Sequence, residues 1–219
     1  MVYQVDRARD GGSFTTRRVV AIQHGRQILN LSASFHVEEE GWAHQHPMPD
    51  VEGPDTLADR GTLRAAVVDR IPQQYHEEFL RPRPIDIREV APRDFFTPPP
   101  EDDVSHLWFR MAAARGIAPS LQHCLLAYAS DLNLLGTALR PHGQTWFTGK
   151  VMAASLDHAM WFHAPAEFCD WHLYTMDSPW AGHGRGFNRG KIYDRDGGLI
   201  ASVAQEGLMR PVVPRGQGA

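Results

Sequence analysis

The sequence predicts an α+β protein in which an antiparallel sheet curls around one long helix. Three observations carry that expectation. The first 40 residues hold β runs with no helix between them. One apolar stripe of helical period follows Pro119. Four further β runs then succeed one another up to about residue 209.

Each element has a local reason. Val2 to Ala8 reads as a strand, and Asp10-Gly11-Gly12-Ser13 is a turn signal. Phe14–Gln23 and Gln27–Val37 are rich in β-branched and aromatic residues, with His24-Gly25-Arg26 marking a hairpin between them. From Glu38 to Asp103 the chain carries most of its prolines, including Pro98-Pro99-Pro100, and only Leu57 to Ile71 could hold a short helix. A loop of that length is uncommon inside a compact domain, so residues 41–103 are expected to be an inter-domain linker over the surface. His106 to Ala112 reads as a strand. Pro119-Ser120 opens a helix, proline suiting the first turn. Leu121, Leu125, Tyr128, Leu132, Leu135 and Leu139 recur three and four residues apart and predict its buried stripe, which Arg140-Pro141-His142-Gly143 ends. The last β runs are expected near 151–163, 170–178, 185–194 and 199–209.

Two copies of one unit are also suggested. Setting Phe14 on Phe187 brings Val19 onto Ile192, Gly25 onto Gly198 and Ser32 onto Gln205, two strands around a Gly hairpin in each case. The expected division is a partial first unit of strands at 1–40, the linker at 41–103, a complete second unit at 104–212 and a flexible tail at 213–219.

Composition narrows the function classes. The 219 residues are 42% apolar and 22% charged, with 22 Lys plus Arg against 26 Asp plus Glu. A formal charge of −4 supplies no basic excess for a phosphate backbone, so no nucleic-acid partner is expected. Two cysteines, Cys124 and Cys169, are too few for a disulfide framework and suit a reducing compartment. Apolar runs fall short of the ~20 residues of a membrane span, and residues 1–12 lack the apolar core of a secretion signal. The expectation is a soluble, cytoplasmic protein with no membrane partner.

Chemistry-bearing residues were weighed against blander roles. Asp131, at the edge of the helical stripe, would be partly buried and would need hydrogen-bond partners; by position alone a capped or solvent-facing helix Asp is the commoner case. Ser155, Asp157 and His158 invite a nucleophilic triad. Strand neighbours point to opposite faces, however, and no Gly-x-Ser-x-Gly elbow is present. Twelve histidines raise the question of metal, but His44, His46, His158, His163 and His172 are scattered, without His-Glu-x-x-His or paired Cys-x-x-Cys spacing, so no metal is expected. Gly182–Gly190 (GHGRGFNRG) bridges no strand to a following helix, which argues against a dinucleotide loop, and no cofactor is expected. Trp161, Trp171, Trp180, Phe162 and Phe187 read as core, one or two of them as lining an apolar channel.

The blocks RDGGSFTTRRVVAIQHGRQI, ASF, GWAHQHPMP, YASDLNLLGTALRPHG, SLDHAMWFHAP and ASVAQEGLMR together resemble the acyl-CoA thioesterase II family, in order and spacing, from about residue 1 to residue 210. The resemblance implies a double hotdog, two tandem units each with an antiparallel sheet curled around a central helix. It also implies hydrolysis of fatty acyl-CoA to free acid and CoA. Residue by residue, the family's catalytic Asp matches Asp131, its Thr or Ser matches Ser155, and its Gln matches Gln205. These three would hold a water for direct attack, with a backbone N–H near the helix start, at Gly116 or its neighbours, opposite the oxyanion. Ser32 in the position of Gln205 implies one active site per chain, in the second unit. Members of the family begin roughly eighty residues earlier, with the first strand and helix of the first hotdog, so this chain is read as truncated, with the first hotdog incomplete and its apolar face exposed. Curled sheets with open edges favour a homo-oligomer. A non-catalytic subunit that binds acyl-CoA is the alternative reading.

Overall fold

A computed structural model describes residues 1–212. The chain divides into two compact units, Met1–His44 and a second beginning at Gln45. The expected tail at 213–219 lies outside the described residues.

The first unit is an antiparallel meander of β1 (Val2–Asp10), β2 (Phe14–Gln23) and β3 (Arg26–His36), in that spatial order. β2 and β3 turn through His24-Gly25, both at positive φ (51° and 73°), the pairing that matches strand twist in a two-residue hairpin. Tyr3, Val5, Leu29, Leu31 and Phe35 are exposed.

The second unit holds a seven-stranded antiparallel sheet in the order β4 (Asp86–Glu89), β5 (Val104–Arg110), β8 (His172–Gly182), β9 (Arg185–Tyr193), β10 (Leu199–Pro211), β6 (Val151–Ser155), with β7 (Ala159–Phe162) also paired to β10. The sheet curls around α3 (Pro119–Asp131) and the one-turn α4 (Leu134–Thr137). Ile87, Leu107, Phe109, Tyr174, Met176, Ile192, Ala201 and Val203 of the sheet close on Leu126, Ala129 and Leu134 of the helices. β8, β9 and β10 form a second three-strand meander, in which a His-Gly turn at positive φ, His183-Gly184, joins the first two strands rather than the last two.

Residues expected as a linker carry structure of their own. α1 (Arg60–Ala65) is capped by Asp59, whose carboxylate accepts from the Thr62 N–H at 2.9 Å; α2 (His76–Leu80) follows, and β4 pairs with β5. Met48, Val51, Leu57 and Val90 cover Trp108, Trp171, Leu173 and Tyr193 on the sheet face away from α3. Trp108 Nε1 donates to the Glu52 carbonyl at 2.8 Å, and the Gln45 amide pairs with Gly197 and Leu199. Proline keeps this stretch out of the strand ladder but not out of apolar packing, so a strap fits where composition suggested a linker. β5 is apolar at successive positions because both of its faces are covered.

The helix departs from its expected stripe. Gln122, Leu126, Ala129 and Ser130 face the sheet, whereas Leu121, Tyr128 and Leu132 are exposed. Small side chains let the sheet approach, and the buried Gln122 amide is satisfied by donating to the Ala114 carbonyl at 2.9 Å and accepting from the Phe168 N–H at 3.0 Å. The helix also ends eight residues before Leu139, because Asn133 leaves the helical path (φ −129°), its side-chain oxygen accepting from Arg60 at 2.8 Å. Likewise the expected run 151–163 is two strands, β6 and β7, broken at Leu156–His158.

Candidate active site

The site forms where the C-terminal end of α3 meets the break between β6 and β7. Ser155 pairs with Gly207 and Ala159 with Ala204, so three residues, Leu156–His158, oppose two on β10, Gln205 and Glu206. The Glu206 carbonyl accepts from the Leu156 N–H at 2.9 Å, and the Asp157 carboxylate accepts from the Glu206 N–H at 2.7 Å. Such a bulge re-aims side chains that a regular ladder would alternate between faces. As a result Ser155 reaches Asp131, and His158 lies against both Gln205 and Asp131.

Asp131 is held from behind. Tyr174 on β8 donates its hydroxyl to the Ser130 carbonyl at 2.8 Å, satisfying one of the last-turn carbonyls that an α-helix leaves unpaired. Burial, and secondarily Asp131, push the Tyr174 phenol well above its ordinary pKa, so it remains a donor. The ring lies over β9 because position 190 is glycine; a Cβ there would stand 2.3 Å from Tyr174 Cε2.

Two donors converge on one oxygen of Asp131. Gln205 Nε2 donates to Oδ1 at 2.5 Å and the Ser155 hydroxyl at 3.4 Å. The Asp131 side chain is half-exposed, Ser155 is exposed, and Gln205 is buried at 1%. Among the described residues no donor reaches Oδ2. A half-exposed carboxylate with one oxygen steadied by an amide and a hydroxyl can take a proton from water at the other.

Residues 54–209 match the family described as acyl-CoA thioesterase C-terminal domain. Acyl-CoA thioesterase 2 of Haemophilus influenzae is 35% identical over 210 residues, covering 96% of this chain and 73% of that protein. The chain belongs to the acyl-CoA thioesterase family. Human acyl-coenzyme A thioesterase 8 is 37% identical, with 96% of this chain and 68% of that protein covered. The crystal structure of an acyl-CoA thioesterase II from Mycobacterium marinum superposes with a TM-score of 0.74 at 40% identity, over 96% of this chain and 73% of that one. A hot dog fold protein from Alicyclobacillus acidocaldarius gives 0.74 at 19% identity, over 96% and 73%, which speaks for the fold alone. The hotdog expectation is met in the second unit, whose curled antiparallel sheet wraps a helix.

Two further residues border the candidate site by geometry. His158 lies 2.9 Å from Ser130 Oγ through Nε2, and its Nδ1 is 3.4 Å from Gln205 Nε2 and 3.9 Å from Asp131 Oδ1. Burial holds its pKa below the ordinary histidine value, against the pull of Asp131 and Asp157. Asn188 stands opposite Gln205 on β9, fully buried; neither of its amide atoms, nor Gln205 Oε1, meets a hydrogen-bond partner among the described residues. In the sequence His158 stands out only beside Ser155 and among the scattered histidines, and a strand position on β9 gives no sign that Asn188 lies against the site. The helix-start donor expected near Gly116 is badly placed for this site: α3 has 13 residues, so its start lies about 18 Å from Asp131 along the axis. Among the described residues no group of three His, Cys, Asp or Glu could hold a metal, and no helix is long and apolar enough to cross a membrane.

Proposed function

We propose that this chain hydrolyses fatty acyl-CoA thioesters to free acid and CoA by direct attack of water. The observation that carries the reading is the convergence of Asp131, Ser155 and Gln205, from α3, β6 and β10, on one carboxylate oxygen. The carboxylate accepts the water's proton as the oxygen attacks the thioester carbon. The hydroxyl and the amide fix the direction of approach, and as the tetrahedral intermediate collapses the C–S bond breaks and the proton held by Asp131 passes to the departing CoA sulfur, restoring the carboxylate. Ser155 acts as an orienting hydroxyl and forms no acyl-enzyme: its contact with Asp131 is long, 3.4 Å, and among the described residues no histidine is hydrogen-bonded to its hydroxyl as an activating base would be. The thioesterase relatives, acyl-CoA thioesterases 2 and 8, support the substrate class.

The test is release of free thiol from a panel of acyl-CoA esters, with Asp131→Asn beside the natural chain. Loss of a general base lowers kcat by about 10²–10⁴-fold, with the melting curve unchanged because the side chain is half-exposed. Full activity in the folded variant would overturn the assignment. Hydroxylamine trapping checks the absence of an acyl-enzyme. Self-association is part of the same proposal, supported by the exposed apolar residues of the first unit and tested by light scattering. So is residence in the cytoplasm, which the two free cysteines support and fractionation tests.

A further inference from the structure

We infer that His158 is a positioning residue that holds the Gln205 carboxamide with its nitrogen toward Asp131, through a hydrogen-bond chain anchored at Ser130. The inference rests on the proposed roles of Asp131 and Gln205.

The Ser130 hydroxyl has one proton. Besides His158, its neighbours are the Ala127 carbonyl at 2.9 Å and the Met160 sulfur at 3.7 Å, both acceptors only. With the hydroxyl donating to the Ala127 carbonyl it accepts from His158, and the Gln205 nitrogen that donates to Asp131 would meet an Nδ1–H donor to donor, so Nε2 is assigned the ring proton. Nδ1 is then a lone pair facing the Gln205 nitrogen at 3.4 Å. That nitrogen has two protons; one goes to Asp131 Oδ1 and the other points at Nδ1. A carboxamide turned over would set Oε1 against the carboxylate and the imidazole lone pair together. His158 thus adds a second penalty against the flipped amide that Asp131 alone does not supply.

The arrangement needs a neutral ring. The groups facing it are Asp131 from α3, Asp157 on its own loop, the non-titrating Gln205 from β10, and Tyr174 from β8 behind Ser130. The Asp157 carboxylate is engaged by the Glu206 N–H, and Tyr174 stays protonated. Burial outweighs the two carboxylates and keeps the imidazole neutral near pH 7. A protonated ring would donate from Nδ1 to Asp131, displace the amide and neutralise the base.

The experiment compares the natural chain with His158→Ala and His158→Asn, whose side-chain oxygen takes the acceptor place of Nδ1. His158→Ala is expected to lower kcat by about 10–100-fold with KM unchanged, and His158→Asn to recover about tenfold of that loss. The acid limb of the kcat–pH profile should move down in His158→Asn, which has no imidazole to protonate. Nitrogen-15 NMR of the natural chain should show the Nε2–H tautomer at His158, shifting in Ser130→Ala. An unaltered kcat in His158→Ala, an Asn variant no better than Ala, or an Nδ1–H tautomer would each overturn the inference; the tautomer decides it even should the Ala variant fail to fold. Asp131→Asn runs in parallel. Loss of activity there with normal His158→Ala turnover sinks only the role of His158, whereas full activity in Asp131→Asn sinks the site and this inference with it.

Discussion

Replacing Gln205 by leucine should separate stability from activity. The side chain is buried at 1%, its Oε1 has no partner among the described residues, and its nitrogen donates to Asp131. Leucine fills a similar volume and removes the unpaired carbonyl, whose burial costs about 1–3 kcal/mol. Against that stands the lost bond to a carboxylate, about 1.5–3 kcal/mol when fully buried. Asp131 is half-exposed, however, so water replaces the donor and the loss falls to about 1 kcal/mol. The balance is a second unit more stable by about 1 kcal/mol, or about 2–4 °C in Tm at this size. Activity moves the other way: a preorganised donor at the reacting centre is worth about 10²–10³-fold in kcat. Denaturant unfolding followed by tryptophan fluorescence reports the second unit, where Trp108 and Trp171 are buried, and thiol release reports turnover. A variant destabilised by more than about 2 kcal/mol would show that Gln205 is a structural group with a partner the protein structure does not supply. A stable variant with normal kcat would remove Gln205 from the catalytic set.

The remaining expectations are simpler. Leu126 is fully buried between α3 and the sheet, so Leu126→Ala should lower unfolding free energy by about 2–5 kcal/mol, read from the denaturation midpoint; a change under about 1 kcal/mol would mean that the helix is not the core of the sheet. Burial lowers the pKa of His106, His158 and His172, so the unfolded chain binds more protons than the folded one just below the ordinary histidine value near 6.5. Stability is therefore fully present above about pH 6.5 and falls as the pH drops below it; denaturation midpoints that stay level from pH 7.5 to 5 would contradict the burial of these rings.

The strands and turns of the first unit, the strand after Asp103 and the β8–β10 meander were legible in sequence because period and turn chemistry are local: β-branched runs punctuated by His-Gly and Asp-Gly need no distant partner. The helix start at Pro119 was legible for the same reason. Which face of that helix is buried was not. Of the expected stripe Leu121, Leu125, Tyr128, Leu132, Leu135 and Leu139, the last two are buried beyond the end of α3, whereas within α3 the sheet selected Gln122, Leu126, Ala129 and Ser130, a choice set by how closely β8–β10 approach. Gly207 shows the constraint: a Cβ there would meet Leu135 Cδ1 at 2.1 Å, and nothing within the local sequence states that a helix passes above.

The order and period of the elements by themselves determined the α+β class, and likeness to a family supplied the hotdog and drew Asp131, Ser155 and Gln205 out of a chain in which Asp131 alone looked like an ordinary helix residue. Only the tertiary structure decided how the three meet. A bulge of one residue opposite Gln205 and Glu206 turns Ser155 and His158 to the same place, and Tyr174 fastens the helix end that carries Asp131. It also decided that residues 45–57 strap the outer sheet face, where proline content suggested a linker. The physical reason is common to both: hydrogen-bond direction and apolar coverage are satisfied between segments far apart in the chain, and sequence periodicity carries no information about which distant segment arrives to satisfy them.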